Sequence, residues 1–249
     1  MLNENADDAY VTVFEKHTGL ISLFERYGFT RHGSKTTQNG IEWVLVKKLT
    51  HIETDPIRRF PAVLGGGTDK YLLAIYPEFH TRLFPDSILR NEDAELIVRD
   101  ISHTNSIHKV YICAMPKVME MQCGDILVIY RTGDGQGAAR FRAVATSICV
   151  VEETRNIVEF SSLDDFLRYC EPHSVFSKEE LIEFYQRRKY PYIIKFMYNI
   201  AFSRRPNRGR LIDEIGLNES ERWGCLRLTN DQFKAIAQMG SVHESLIID

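Results

Sequence analysis

The sequence has 249 residues, enough for one large domain or two modest ones. Its 44% hydrophobic and 26% charged content is ordinary globular composition and excludes disorder as the dominant state. A net charge of -3 excludes a uniformly basic nucleic-acid coat, and no apolar run approaches the ~20 residues that span a bilayer.

The first ten residues, MLNENADDAY, lack the basic and apolar stretches of a secretory signal, so a cytoplasmic location is expected. Tyr10 to Phe14 is β-branched and aromatic, a strand signal. Leu20, Leu23, Phe24 and Tyr27 then fall on one face of a helix over 17–27, with Gly28 as its stop. Phe29 to Lys35 and Glu42 to Lys48 predict two strands joined by a Gln38-Asn39-Gly40 turn. Residues 51–68, with two prolines and Gly65-Gly66-Gly67, predict a linker. Strands follow at 71–75, 109–114, 125–132 and 141–152, with a short helix expected between Pro77 and Pro85. Gly133, Gly135 and Gly137 predict a loop inside a long hairpin of a curved sheet. Helices are expected at 163–170 and 177–188, the second opened by a Ser177-x-x-Glu180 capping box. A strand at 192–202 and a last helix after the Thr229-x-x-Gln232 box complete the chain.

The five cysteines form no C-x-x-C pair, which argues against a disulfide or zinc framework and for small core residues. His103 and His108 are five residues apart, and a metal reading for them is a minor one. The pairs Asp164/Asp165, Glu179/Glu180 and Asp213/Glu214 fall in first turns or beside caps, where negative charge is favoured without catalysis.

The segment Leu23-Phe24-Glu25-Arg26-Tyr27-Gly28-Phe29, with the strand before it and the hairpin after it, resembles the C-terminal part of a GNAT-type N-acetyltransferase. The resemblance implies a strand-helix-hairpin over about 1–50 and, in a complete enzyme, acetyl-CoA held by a glycine loop ahead of the strand at Tyr10. Only nine residues precede Tyr10, and Phe24 stands where the family often carries an acidic tyrosine. Residues 1–50 are therefore expected to be an acetyltransferase fragment rather than a working enzyme, docked on the rest of the chain or paired with another copy.

Residues 107–112, Gly124-Asp125 with the apolar strand after it, and the returning strand at 144–151 resemble the PUA-like superfamily, including its ASCH and EVE branches. That resemblance implies a β-barrel with peripheral helices over 69–249 that binds RNA or modified bases. It also implies a barrel pocket, for which Lys109, Tyr130, Arg131, Thr132, Phe202 and Ser203 are the candidates. The Gly-x-Lys-x-x-Glu signature of ASCH hydrolases is absent from the sequence, which leaves hydrolysis of a modified nucleoside as a third reading.

Residues 187–210 carry eight basic side chains (Arg187, Arg188, Lys189, Lys195, Arg204, Arg205, Arg208 and Arg210) and no acidic one. The remaining sequence has 23 basic against 34 acidic residues, so the charge is asymmetric. Five interleaved aromatics could stack bases while the cations neutralise phosphates. Arg204–Arg210, broken by Pro206 and Gly209, is expected as an exposed loop. The same residue types also suit a solvated loop or a protein partner.

The expectation is thus an α+β protein: a GNAT-like fragment over 1–50, a linker over 51–68 and a PUA-like barrel over 69–249. Its function would be non-catalytic binding of RNA, DNA or a modified base. The alternative is an acetyltransferase completed by another chain, with acetyl-CoA as cofactor. No cofactor and no metal is expected for the first reading.

Overall fold

The computed structural model describes residues 6–84 and 106–248. The chain divides into two units, Met1–Leu64 with His243–Asp249, and Gly65–Val242. The segment expected as a linker therefore belongs mostly to the first unit, and the last residues of the chain return to it.

In the first unit, β1 (Asp8–Phe14) leads to α1 (Thr18–Arg26) and the hairpin β2 (Thr30–Thr37) and β3 (Gly40–Lys48). This is the expected strand-helix-hairpin. The sheet is antiparallel in the order β1-β3-β2. Odd-numbered positions of β1 and β3 share a face, and Val13 and Leu45 there pack with Ile21 of α1. Gly28 ends α1 at φ +87, and a Cβ there would lie 2.8 Å from the Arg58 carbonyl oxygen. Chain beyond the hairpin adds to this small core: a single-turn helix α2 (Pro56–Arg59), capped by Asp55, and a parallel pairing of β4 (Val63–Leu64) with β11 (Ile247–Ile248).

The larger unit is a six-stranded sheet in the order β10-β5-β7-β8-β9-β6. Its strands are β5 (Lys70–Ile75), β6 (His108–Cys113), β7 (Ile126–Arg131), β8 (Val144–Asn156), β9 (Tyr192–Ala201) and β10 (Cys225–Leu228). β5 and β7 are parallel and the other pairs antiparallel. Asp125 ties the parallel pair together at its start. One carboxylate oxygen accepts from the Asp69 N–H at 3.0 Å and the other from the Gln122 N–H at 2.8 Å. Gly124 before it takes the φ of +96 that the turn requires.

One face of the sheet carries Leu73, Leu127, Ile129, Cys149, Phe196 and Tyr111, and α3 (Pro77–Leu83) with Phe84 packs on this core. The other face of β6 and β9, with Val110, Ile112 and Ile193, is covered by α5 (Leu163–Cys170) and α6 (Lys178–Arg187). Phe166, Leu167 and Cys170 of α5 and Leu181 and Phe184 of α6 supply the apolar stripes. Both capping boxes read from the sequence form, at Ser177/Glu180 and at Thr229/Gln232, the latter opening α8 (Asn230–Met239).

Two expectations are corrected. The sheet curls but does not close into a barrel: no ladder joins the edge strands β6 and β10 among the described residues. Met115, just past β6, packs on Gly224, just before β10, so a side-chain contact stands at this point of the seam. Residues 204–210 are also not one loop. Asn207 caps a short helix, α7 (Arg208–Asp213), its side chain accepting from the Arg210 N–H at 3.0 Å. A further single turn, α4 (Ala139–Arg142), lies inside the β7–β8 connection.

Candidate functional site

A cavity of about 570 Å³ opens where the two edges of the large sheet approach each other. Its wall draws on the ends of β5 and β7, the end of β6, the start of α3, helix α6 and the residues just before β10. Aromatic rings dominate. Phe79, Phe176, Phe184 and Tyr190 form a continuous run with successive centroids 5.2, 4.9 and 5.2 Å apart. Tyr76 is 61% exposed at the same wall.

Trp223 completes the lining and is fixed from three sides. Its indole N–H donates to the Asn218 carbonyl at 2.8 Å, the Tyr130 ring lies 5.2 Å away, and the Arg208 guanidinium lies 4.0 Å over the ring. Such a cation–π stack contributes about 0.5–2 kcal/mol. It also leaves a charged group beside an aromatic wall.

Polar groups at the wall are few. Val110 N–H points off the sheet and donates to the His173 carbonyl at 2.8 Å, so the backbone of Ile112, two residues on, turns the same way. Ile112 lines the cavity, which brings a backbone donor and acceptor to its wall. Arg222 and Thr132 also line it. Glu180 does too, but one of its oxygens accepts from the Ser177 N–H at 2.7 Å and serves the cap. Burial pushes the Cys113 thiol up to about 11, so it is a neutral group of the wall. Burial also raises the Tyr111 hydroxyl, which stays protonated.

The basic residues read from the sequence are dispersed. Arg208 stacks on Trp223, and Lys189 places its ammonium 5.3 Å from the centroid of Tyr190; both rings line the cavity. Arg210 pairs with Glu214 at 2.6 Å, Arg187 with Glu183 at 2.9 Å, and Lys195 with Glu152 at 3.4 Å. Glu152 also lies 2.6 Å from His108 Nδ1; burial would raise its carboxyl, but the contact with His108 and the Lys195 ammonium hold it below the usual range. Arg188 is exposed in the left-handed conformation that ends α6. Arg204 is exposed, and Arg205 is half-buried near His80. Arg140 and Arg142, outside the sequence-read stretch, pair with Asp213 and Asp134.

Of the six pocket candidates, Thr132 lines this cavity and Tyr130 backs it through Trp223. Lys109 and Arg131 are each only 2% exposed, inside the sheet core. Phe202 is packed so closely on Gly240 that a Cβ there would lie 2.7 Å from its ring, and Ser203 is exposed. In the first unit Phe24 packs on Phe29 at 5.1 Å, and Tyr27 on Phe60 at 5.5 Å. No group of three or more His, Cys, Asp or Glu able to hold a metal occurs among the described residues, and His103 lies outside them. Within the described residues no helix is long and apolar enough to cross a membrane.

Sequence reasoning missed most of the cavity. Tyr76 and Phe79 share the start of α3, but Tyr111, Phe176, Phe184 and Trp223 come from other segments, so only the fold brings the set together.

No protein-family model matches this chain, and no curated protein matches it. Among solved structures it is similar to a mutant form of an ASCH protein from Zymomonas mobilis, at 9% identity and a TM-score of 0.43, over 68% of this chain and 95% of that one. It is similar to a hypothetical protein from Leishmania major at 12% identity and a TM-score of 0.41, over 71% and 97%. It is also similar to the DUF55 domain of human thymocyte nuclear protein 1, at 10% identity and a TM-score of 0.36, over 70% and 99%.

Proposed function

We propose that the larger unit is a PUA-like nucleic-acid-binding module that takes one unpaired base into the aromatic cavity. The observation that carries this reading is Trp223, which lines the cavity on one side and carries the Arg208 guanidinium 4.0 Å over its ring. A base would stack among the rings, worth about 1–3 kcal/mol. Its polar edge would meet the Ile112 backbone, and Arg208, Arg222 and Lys189 would meet the phosphates. RNA and DNA share the groups this arrangement uses. The reading asks for no catalytic residue and no cofactor.

The test is fluorescence polarisation with short single- and double-stranded RNA and DNA at low and moderate salt. Binding should be strongest for single strands and fall steeply with salt. Tyr76→Ala should weaken it about tenfold through lost stacking. Arg208→Ala should weaken it and flatten the salt dependence by about one charge. Absence of binding at low salt, or binding untouched by both substitutions, overturns the reading.

A further inference from the structure

The first unit has its own cleft, of about 200 Å³, lined by Gly28, Thr30 and His32 at the start of β2, Val46 to Lys48 at the end of β3, and His51, Glu53 and Arg58. Its floor is built around Lys47. This side chain is 8% exposed, and its ammonium donates to the carbonyls of Tyr27, Arg58 and Phe60 at 2.8, 2.7 and 2.7 Å. All three protons are used, so the ammonium is held in place, and although burial lowers its pKa from 10.5 to about 8 it stays mostly charged at neutral pH. The close approach at Gly28 sets the Arg58 backbone against the end of α1.

The charges around the cleft do not cancel. Lys47, Lys48 and Arg58 line the cleft with a single carboxylate, Glu53, which binds Arg58 at 3.1 Å. Glu53 is held below the usual carboxylate range by Arg58 first, with His51 and Lys47 adding to it. The side chains of Lys48 and His51 are exposed and make no ion pair or hydrogen bond among the described residues. Two positive charges thus remain over a preformed, small depression, with imidazole and ammonium donors at its rim.

We propose that this cleft binds a phosphate monoester dianion. The dianion matches the excess charge, and the cleft has room for a phosphate with a small substituent but not for a nucleotide lying flat. Lys48 Nζ and the imidazoles of His32 and His51 donate to its oxygens. Lys47 acts through its fixed charge, and Glu53 is the group the phosphate competes with for Arg58. The proposal stands apart from the aromatic cavity and from nucleobase binding, since no residue is shared.

The test is titration of the full chain with inorganic phosphate, followed through the backbone amides of Thr30, His32, Lys48 and His51. Saturable shifts are expected with phosphate and with sulfate, and dimethyl phosphate, a monoanion, should bind about tenfold more weakly. Lys48→Ala with His51→Ala, both at exposed positions, should abolish saturation. Glu53→Gln should tighten binding severalfold, an effect opposite in sign to simple damage. A trinucleotide carrying a 5′ phosphate, compared with its unphosphorylated twin, separates a strand end from a small ester as the source. A 5′-phosphate dependence at these amides identifies the strand end, and inorganic phosphate binding as tightly as the trinucleotide identifies the small ester. Linear, non-saturating shifts, equal binding of dimethyl phosphate, or no response to the Lys48/His51 pair overturns the proposal.

Discussion

His80 shows what one buried group imposes. It is fully buried in α3, its Nε2 lies 2.9 Å from the Thr146 hydroxyl, and its ring packs on Phe84. Burial first, then the positive charges of Arg131 and Arg205, push its pKa down from 6.5 to about 3. The folded protein therefore keeps His80 neutral where the unfolded chain protonates it. The sign follows from linkage: the unfolded state binds more protons, so stability is complete above about pH 6.5 and is lost as pH falls toward 3. The loss approaches about 1.4 kcal/mol per pH unit in that window. Urea midpoints measured at neutral and mildly acidic pH should show it. His80→Gln, which keeps a polar contact to Thr146 but does not titrate, should flatten the slope. An unchanged slope would assign the acid sensitivity elsewhere, with His173, lowered by burial to about 4, as the next candidate.

At the scale of elements, the basic stretch divides into parts with different tasks. Asn207 nucleates α7, and α7 presents Arg208 to Trp223 and Arg210 to Glu214. Asn207→Ala removes the cap and should cost about 1 kcal/mol of stability. It should also loosen Arg208 and weaken oligonucleotide binding severalfold, read by thermal unfolding and polarisation together. A stability loss with unaltered binding would detach α7 from the binding surface.

The same helix marks the limit of what the sequence makes legible. Ser177-x-x-Glu180 and Thr229-x-x-Gln232 are complete capping boxes, and both form as written. Asn207-x-x-Arg210 carries an arginine where the reciprocal carboxylate belongs, Pro206 precedes it and Gly209 lies within it, so the local signal reads as loop. The β7–β8 hairpin and its glycine loop are legible because β-branched runs and glycines act locally. The cavity and the open seam are not, because they depend on how far a six-stranded sheet curls. That is decided by contacts such as Met115 on Gly224, which are distant in sequence. The long-range pair is illegible for the same reason, since Arg140 finds Asp213 across 73 residues, whereas Arg210 and Glu214 pair at the local i,i+4 spacing.

For the whole molecule, the chain begins and ends in the same unit. Val63 and Leu64 pair in parallel with Ile247 and Ile248, and Val63 is wholly buried. The larger unit is thus an insertion between two segments of the smaller one. The closing pair is short, and its backbone bonds and apolar burial contribute about 1–3 kcal/mol locally. Removing His243–Asp249 should therefore loosen the first unit and spare the second. Hydrogen exchange is the measurement: the Val63 and Leu64 amides should lose protection, and those of Leu127, Val128 and Ile148 in the large sheet should keep theirs. Oligonucleotide binding, which the proposed cavity locates in Gly65–Val242, should survive the truncation, while phosphate binding by the Lys47 cleft should weaken as its unit loosens. Loss of protection through both units at once would mean that they unfold as one cooperative body, and the separate assignment of the two sites would then rest on the point substitutions alone.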